Sequence, residues 1–499
     1  MAKSQEADNQ SVRRKKSWRI YWIIPLVIAI AACVVGYLNF WKKNALQPMD
    51  CIPNDAAYVL QINDNQELVG TIPGCLAQLD PLLELDALDA FEYFLKQFDE
   101  DDIVGNQMVM SGHWMDNSLH ALFVVPTKIH GLESFLREVK KNPKDKFDYK
   151  GIDFYEMATH YHTCFFCLHN GFFLVADNEM LLRSAIDHMG TQQCLTHSVD
   201  YKKISGLLKK NTKQNWLLVH NEMLVDAQIA KVDPVYKQEL LNLKQYANWS
   251  AFVVTFSDKA VQLSGYCQAK SGACFANFSG ARNLSLPVEV LPAETAQCIA
   301  LNLASLKHFV PGSSPSSQQA CKALGDAAAF CFTFSHFDEL QRCIALVADT
   351  SETFRQSITA TDSSTTVETK YLGHPIYACS GADFPQAIST STRTMKASYF
   401  IENQGVYIFA DSIPVLKNYL DRVGEDRNLA EDEVFMNSIA AVPTQCAFAF
   451  YYQNQKNAFA RFWKPVRRNK SVFTFQAMNF TALPAVDGWI PCNVFIVFG

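Results

Sequence analysis

Apolar positions along this chain fall into three patterns. The first is a continuous run from Ile20 to Phe40, 21 residues interrupted only by Pro25, Gly36, Asn39 and a few aromatic side chains. The second is alternation of apolar and polar residues over short stretches, the period of a half-buried strand. Phe165–Leu168 and Phe172–Val175 are short, continuously apolar runs that also read as strands, and Asn170-Gly171 between them is a strong hairpin signal. The third is helical spacing, which predicts helices over Leu132–Lys141, Met180–Met189 and Leu224–Tyr246, the last kinked near Pro234. Hairpins broken by helices predict an α+β class, with antiparallel sheet covered by helices.

The pattern occurs twice. Ile52-Pro53-Asn54-Asp55-Ala56-Ala57-Tyr58-Val59 resembles Leu291-Pro292-Ala293-Glu294-Thr295-Ala296-Gln297-Cys298. Gly112-His113-Trp114 aligns with Ser335-His336-Phe337, and Tyr149-Lys150-Gly151 with Tyr371-Leu372-Gly373. Gly171 to Asp177 corresponds to Gly405 to Asp411, and a further Asp follows each, at Asp187 and Asp421. Asn248-Trp249-Ser250 and Asn479-Phe480-Thr481 introduce the closing strands. Landmarks in the same order establish a duplication, with copy one at 50–268, a Gly/Ser/Asn-rich linker at 269–288 and copy two at 289–499. Asp177 and Asp411, each just before a helical pattern, are expected to be N-caps.

At 1.5 Å per residue the 20–40 run is long enough to cross a bilayer. Trp18, Tyr21 and Trp22 flank one end, Tyr37 and Trp41 the other, as an aromatic belt would. Arg13, Arg14, Lys15, Lys16 and Arg19 precede it, against Lys42 and Lys43 after it. That bias predicts a cytoplasmic tail at 1–19, a single-pass signal-anchor in the lipid bilayer of the inner membrane, and a periplasmic ectodomain. Ile30-Ala31-Ala32-Cys33 also fits a lipobox, but the apolar run continues past the Cys, which suits an uncleaved anchor.

Composition narrows the function classes. Charged residues are 19% of the chain and the net charge is -6, so the ectodomain is mildly acidic and gives no electrostatic footprint for nucleic acid. The N-terminal run, the Ile-Pro-x-Asp-Ala opening at 52–56 and the Gly-x4-Ala-Asp element resemble an uncharacterised family of bacterial, Bacteroidota-type membrane-anchored envelope proteins. That resemblance implies an envelope location and architecture, and no reaction.

Of the 15 cysteines, most are expected to be free and buried, because the repeat sets several against apolar residues: Cys298 against Val59, Cys331 against Met108, Cys167 against Ile401. Local bridges Cys51–Cys75 and Cys267–Cys274 stay open. His160, His162 and Cys164 alternate as zinc ligands on one strand face would, yet no second pair completes four ligands. His113 and His336, each followed by an aromatic residue (Trp114, Phe337), are the His pair common to both copies and the candidate binding residues. No nucleophile elbow, zincin helix, P-loop or dinucleotide fingerprint occurs, and no cofactor is implied.

The expected function is therefore a non-catalytic, membrane-anchored envelope scaffold or protein-interaction module with other envelope proteins as partners. A carrier for a lipid or other apolar ligand, lined by some of the 35 Phe and 18 Tyr, is the alternative. A hydrolase with scattered catalytic residues is the third reading.

Overall fold

The computed structural model describes residues 46–63, 108–127, 146–158, 163–208, 214–229, 247–257, 259–270, 280–302, 328–337, 339–347, 367–378, 398–424, 427–453 and 475–498, with isolated positions 237, 241 and 244. Copy one contains β1 (Ala56–Ile62), β2 (Met108–Met115), β3 (Ser118–Pro126), β4 (Lys146–Tyr149), β5 (Ile152–Ala158), β6 (Thr163–His169), β7 (Phe172–Ala176), β8 (Asn215–His220), β9 (Ala247–Ser257) and β10 (Ala260–Ala269). After the short β11 (Arg282–Asn283), copy two contains β12 (Thr295–Asn302), β13 (Ala328–His336), β14 (Glu339–Val347), β15 (Val367–Tyr371), β16 (His374–Ala378), β17 (Tyr399–Asn403) and β18 (Val406–Ala410). It continues with β19 (Gln445–Cys446), β20 (Phe448–Gln453), β21 (Phe475–Ala482) and β22 (Trp489–Phe498). The described α-helices are α1 (Glu179–His188), α2 (Val199–Leu208), α3 (Asn221–Ile229), α4 (Ile413–Val423) and α5 (Glu433–Ala440).

Both copies share one antiparallel strand order. Copy one runs β4-β5-β6-β7-β3-β2-β1-β8-β9-β10. Copy two runs β15-β16-β17-β18-β14-β13-β12-β20-β21-β22. The last strands pair with each other: Ala260 to Gln268 of β10 face Val497 to Trp489 of β22. The result is one 20-stranded sheet with the β10/β22 seam at its centre.

Each copy covers one sheet face with its own helices. In copy one Val59, Leu122, Leu174 and Trp249 pack with Leu181, Leu182 and Ala185 of α1 and Ile204 of α2. In copy two Cys298, Phe330, Phe332 and Ile408 pack with Leu416, Tyr419 and Leu420 of α4 and Phe435 of α5. The opposite face holds a single core that crosses the seam, with Phe252, Val254, Val261 and Leu263 beside Ile490, Cys492, Ala482 and Leu301. Ala227 of α3 belongs to that shared core. Leu284, Leu286 and Val288, from the region expected to be linker, are buried in the core of copy two.

This architecture corrects the α+β expectation of two helix-covered modules behind a transmembrane helix. Sheet dominates, the copies merge into one ladder, and the helices are 8–11 residues long. Among the described residues no helix is long and apolar enough to cross a membrane, and the 20–40 run lies outside them. The single-pass, signal-anchor placement in the inner membrane is corrected with it: it rested on a helix that no described residue supplies, and it is not retained. The helix expected at 132–141 and the kink at Pro234 also lie outside the described residues.

The repeat landmarks have local physical reasons. Lys150-Gly151, Asn170-Gly171, Leu372-Gly373 and Gln404-Gly405 all have positive φ at both residues, the type I′ loop that matches strand twist. The Tyr before the first and third of these docks its hairpin on a helix: Tyr149 Oη donates to Asp187 at 2.8 Å, and Tyr371 Oη to Asp421 at 2.7 Å. A cation lies over each ring, Arg183 over Tyr149 and Lys417 over Tyr371. The Ala-Asp element is not a cap. Asn178 caps α1, accepting from the backbone N–H of Met180 and Leu181, while the Asp177 carboxylate accepts from Ala121 N at 3.1 Å. In copy two Ser412 occupies the N-cap position without a side-chain cap bond. The helix starts one residue later than the pattern suggests, which leaves Asp177 to tie down the neighbouring strand.

Gly112 shows why one landmark is glycine. It pairs with Tyr58 across β1/β2, and a Cβ there would lie 2.0 Å from Tyr58 Cε1, whose ring is fully buried. Gly112→Ala is expected to destabilise the protein by about 1–3 kcal/mol, the range for overpacking a core. Urea unfolding checks it, and an unchanged midpoint would mean that the Tyr58 ring can move aside.

Candidate functional site

The one candidate residue that the fold builds into a chemical constellation is His113. β1 and β2 pair with Ala56 opposite His113, which brings the turn acid Asp55 over the strand. His113 Nδ1 lies 2.8 Å from Asp55 Oδ1, and its Nε2 lies 2.9 Å from Ser111 Oγ. Ser111 and His113 are two residues apart on one strand, so their side chains share a face. The order hydroxyl, imidazole, carboxylate is that of an activated serine.

Accessibility decides what this relay does. Ser111 and His113 are both fully buried, and only Asp55 reaches solvent, with 56% of its side chain exposed. The helical turn Pro48–Cys51 packs over β2 and β3 on the same side. A nucleophile without access to a carbonyl carbon performs no acyl transfer, so the relay acts as a buried polar strut. It satisfies a hydroxyl and an imidazole that would otherwise be costly to bury. It also fastens the Pro53-Asn54-Asp55 turn to the sheet.

Copy two has a different arrangement at the same place. Strand register sets Met108 against Ala329 and Met115 against His336, because β2 and β13 each end two residues before the next strand opens. His113 is thus equivalent to Phe334, and His336 to Met115. The expected His113/His336 match was out of register by two residues, and so was Cys331/Met108, since Cys331 stands in the place of Met110. The turn acid of copy two, Glu294, accepts from Arg422 Nη1 at 3.2 Å. Arg422 also lies over the ring of Phe337, 5.9 Å away, and the His336 ring meets Phe337 edge-on at 4.5 Å. Glu294 Oε2, Arg422 Nε and His336 Nδ1 are buried with no hydrogen-bond partner among the described residues.

The other candidates separate. Trp114, half-buried, packs against the shared core of the opposite face, away from the relay. Cys164 is buried on β6, opposite Met157, while His160 and His162 lie outside the described residues. Among the described residues no group of three His, Cys, Asp or Glu side chains is arranged to hold a metal. The ten described cysteines are buried and unbridged, as expected, and burial pushes the thiols of Cys167, Cys298 and Cys343 up. Cys75 and Cys274 lie outside the described residues. Sequence reasoning missed Asp55 and Ser111. The Ser-x-His spacing was a readable cue, but the Asp is 58 residues from His113 and meets it only through the β1/β2 register.

No family model matches the chain, and no curated protein matches it. Solved structures that are similar include TP0453 in crystal form III, at 9% identity and a TM-score of 0.22, covering 76% of this chain and 98% of that one. Crystal form I of TP0453 gives 9% identity and a TM-score of 0.20, over 76% of this chain and 99% of that one. Likeness at this level carries neither fold nor function to this chain.

The hydrogen bond from His113 holds the Asp55 carboxyl below the usual carboxylate range, against the smaller opposing effect of desolvation. A carboxyl lowered by folding contributes stability that is fully present above its unfolded value. That contribution is lost as the pH falls through the folded one. Asp55→Asn is therefore expected to narrow its stability gap from the parent protein as the pH is lowered below about 4. Denaturation midpoints measured across that range check this, and a gap independent of pH would contradict it.

Proposed function

We propose that this protein is a non-catalytic protein-interaction scaffold. The observation that carries this reading is a difference between the two copies at equivalent hairpin tips. Copy one has Asp116 and Lys150 there, and copy two has Phe337 and Leu372. All four have positive φ, a conformation uncommon for Phe and Leu and costing on the order of 1–3 kcal/mol away from glycine. Phe337 is 78% exposed and Leu372 is 60% exposed, so neither is held by core packing.

The two tips converge on the end of one helix. Phe337 lies beside Arg422 near the C-terminal end of α4, and the Leu372 methyl lies 3.9 Å from the Cβ position of Gly424 just beyond it. Two large apolar side chains in strained backbone, exposed together, suit a contact that excludes water when a protein partner with an apolar surface docks. The 20-stranded ladder supports the scaffold part of the reading. At about 4.8 Å per strand it extends this surface from copy one by tens of ångströms along a continuous hydrogen-bonded sheet. The Ser111–His113–Asp55 relay favours the hydrolase reading only in its order, because its serine is sealed.

Photo-crosslinking in the cells that naturally make the protein tests the scaffold reading. A photoreactive residue at 337 or 372 is expected to give a discrete protein adduct, and one at 116 or 150 none. Phe337→Asp and Leu372→Lys, the copy-one residues, are expected to abolish the adduct without lowering stability. Equal crosslinking from both copies would contradict the reading. Labelling of Ser111 in the folded protein by a fluorophosphonate would revive the hydrolase.

A further inference from the structure

At the centre of the sheet, where the copies join, two thiols meet. Cys267 lies on β10 and Cys492 on β22, and their Sγ atoms are 3.1 Å apart although 225 positions separate them in the chain. In the ladder Cys267 faces Ile490 and Cys492 faces Gly265, so the cysteines are diagonal neighbours on the same face of the sheet. The residues beside them are small. Gly265 has no side chain to fill the position opposite Cys492, and Ser250, opposite Cys267 on β9, donates its hydroxyl to Cys267 Sγ at 3.2 Å. Cys492 is 1% exposed, whereas Cys267 is 9% exposed.

We propose that Cys267 and Cys492 are a disulfide-forming site that locks the two copies together across the seam. It is independent of the scaffold reading. The sulfurs stand about 1 Å beyond bonding distance, near 2.05 Å, and because the two positions are diagonal, closing the bond also draws β10 and β22 together locally. The oxidant is a low-molecular-weight disulfide. When the seam opens locally, the Cys267 thiolate, the less deeply buried of the two, attacks one of its sulfurs, forming a mixed disulfide and releasing one thiol. The Cys492 thiolate then displaces the second thiol and closes the Cys267–Cys492 bond. Two protein thiols are oxidised, one small disulfide is reduced to two thiols, and the two protons leave with those thiols. The hydrogen bonds that Cys267 Sγ receives from Cys492 and from Ser250 are suited to favour the thiolate that begins the exchange.

The test uses the full-length protein incubated with oxidised glutathione, quenched in acid, alkylated and digested without reductant. The expected product is a peptide pair joining Cys267 to Cys492, lighter than the two separate peptides by two hydrogens and lost on adding reductant. The oxidised protein is also expected to unfold at a midpoint several degrees above the reduced one, and Cys267→Ser and Cys492→Ser are each expected to remove both effects. Should either variant fail to fold, the peptide map and the midpoint of the parent protein still decide. Recovery of both cysteines as alkylated thiols or glutathione adducts, under conditions that oxidise the unfolded chain, would overturn the proposal. Equal midpoints for the bonded and reduced forms would overturn the locking role.

Discussion

The antiparallel pairing of β10 with β22 is the constraint on which the rest depends. A ten-stranded sheet standing alone would end at β10 in a long row of unpaired backbone N–H and C=O groups, the condition that invites uncontrolled association. Here each copy supplies the other's missing neighbour, over nine paired positions from Ala260/Val497 to Gln268/Trp489. The pairing also lets the face opposite the α1/α2 and α4/α5 layers form one core instead of two. Apolar burial of this kind contributes about 1.5–3 kcal/mol per large side chain, so a core shared across the seam makes separation of the copies costly. The outer ends of the ladder are blunted differently, by short β4 and β15, which carry Lys146 and Lys370.

Against that common frame, the copies differ where they meet solvent. The backbone devices are kept: X-Gly hairpin loops, the Tyr149–Asp187 and Tyr371–Asp421 clamps, and the acid in the turn that opens the first strand. The partner of that acid has changed, from His113 beneath Asp55 to Arg422 beside Glu294. The surrounding corner of copy two carries Phe337 and Leu372, where copy one has Asp116 and Lys150. The duplication keeps the hairpin loops and the Tyr–Asp clamps and varies the side chains at this corner. The seam thiols Cys267 and Cys492 occupy a place that exists only because the copies are joined.

Much of this was legible in the residues. The Asn170-Gly171 hairpin, the paired Tyr and Asp landmarks and the duplication follow from local rules with a fixed period. Three things did not. Whether two copies merge is decided by the outer edge of β10, and strand periodicity says nothing about an edge partner. Matching His113 to His336 failed because alignment by residue type prefers His over His, whereas the ladder counts positions from the hairpin turn. Asp177 looked like a cap because it precedes a helix, but only β3 alongside it explains the bond to Ala121 N. The Asp55–His113–Ser111 relay needed β1 to pair with β2, a contact between distant segments.

Hydrogen exchange along the seam tests the central claim most directly. In a continuous sheet, half the amides of β10 donate toward β9 and half toward β22, and both halves are expected to exchange as slowly as those of the interior strands β9 and β21. Slow exchange throughout β10 and β22 is the predicted result. Slow exchange of the β9-facing amides together with rapid exchange of the β22-facing ones would contradict it, since it would mean two separate sheets with exposed edges.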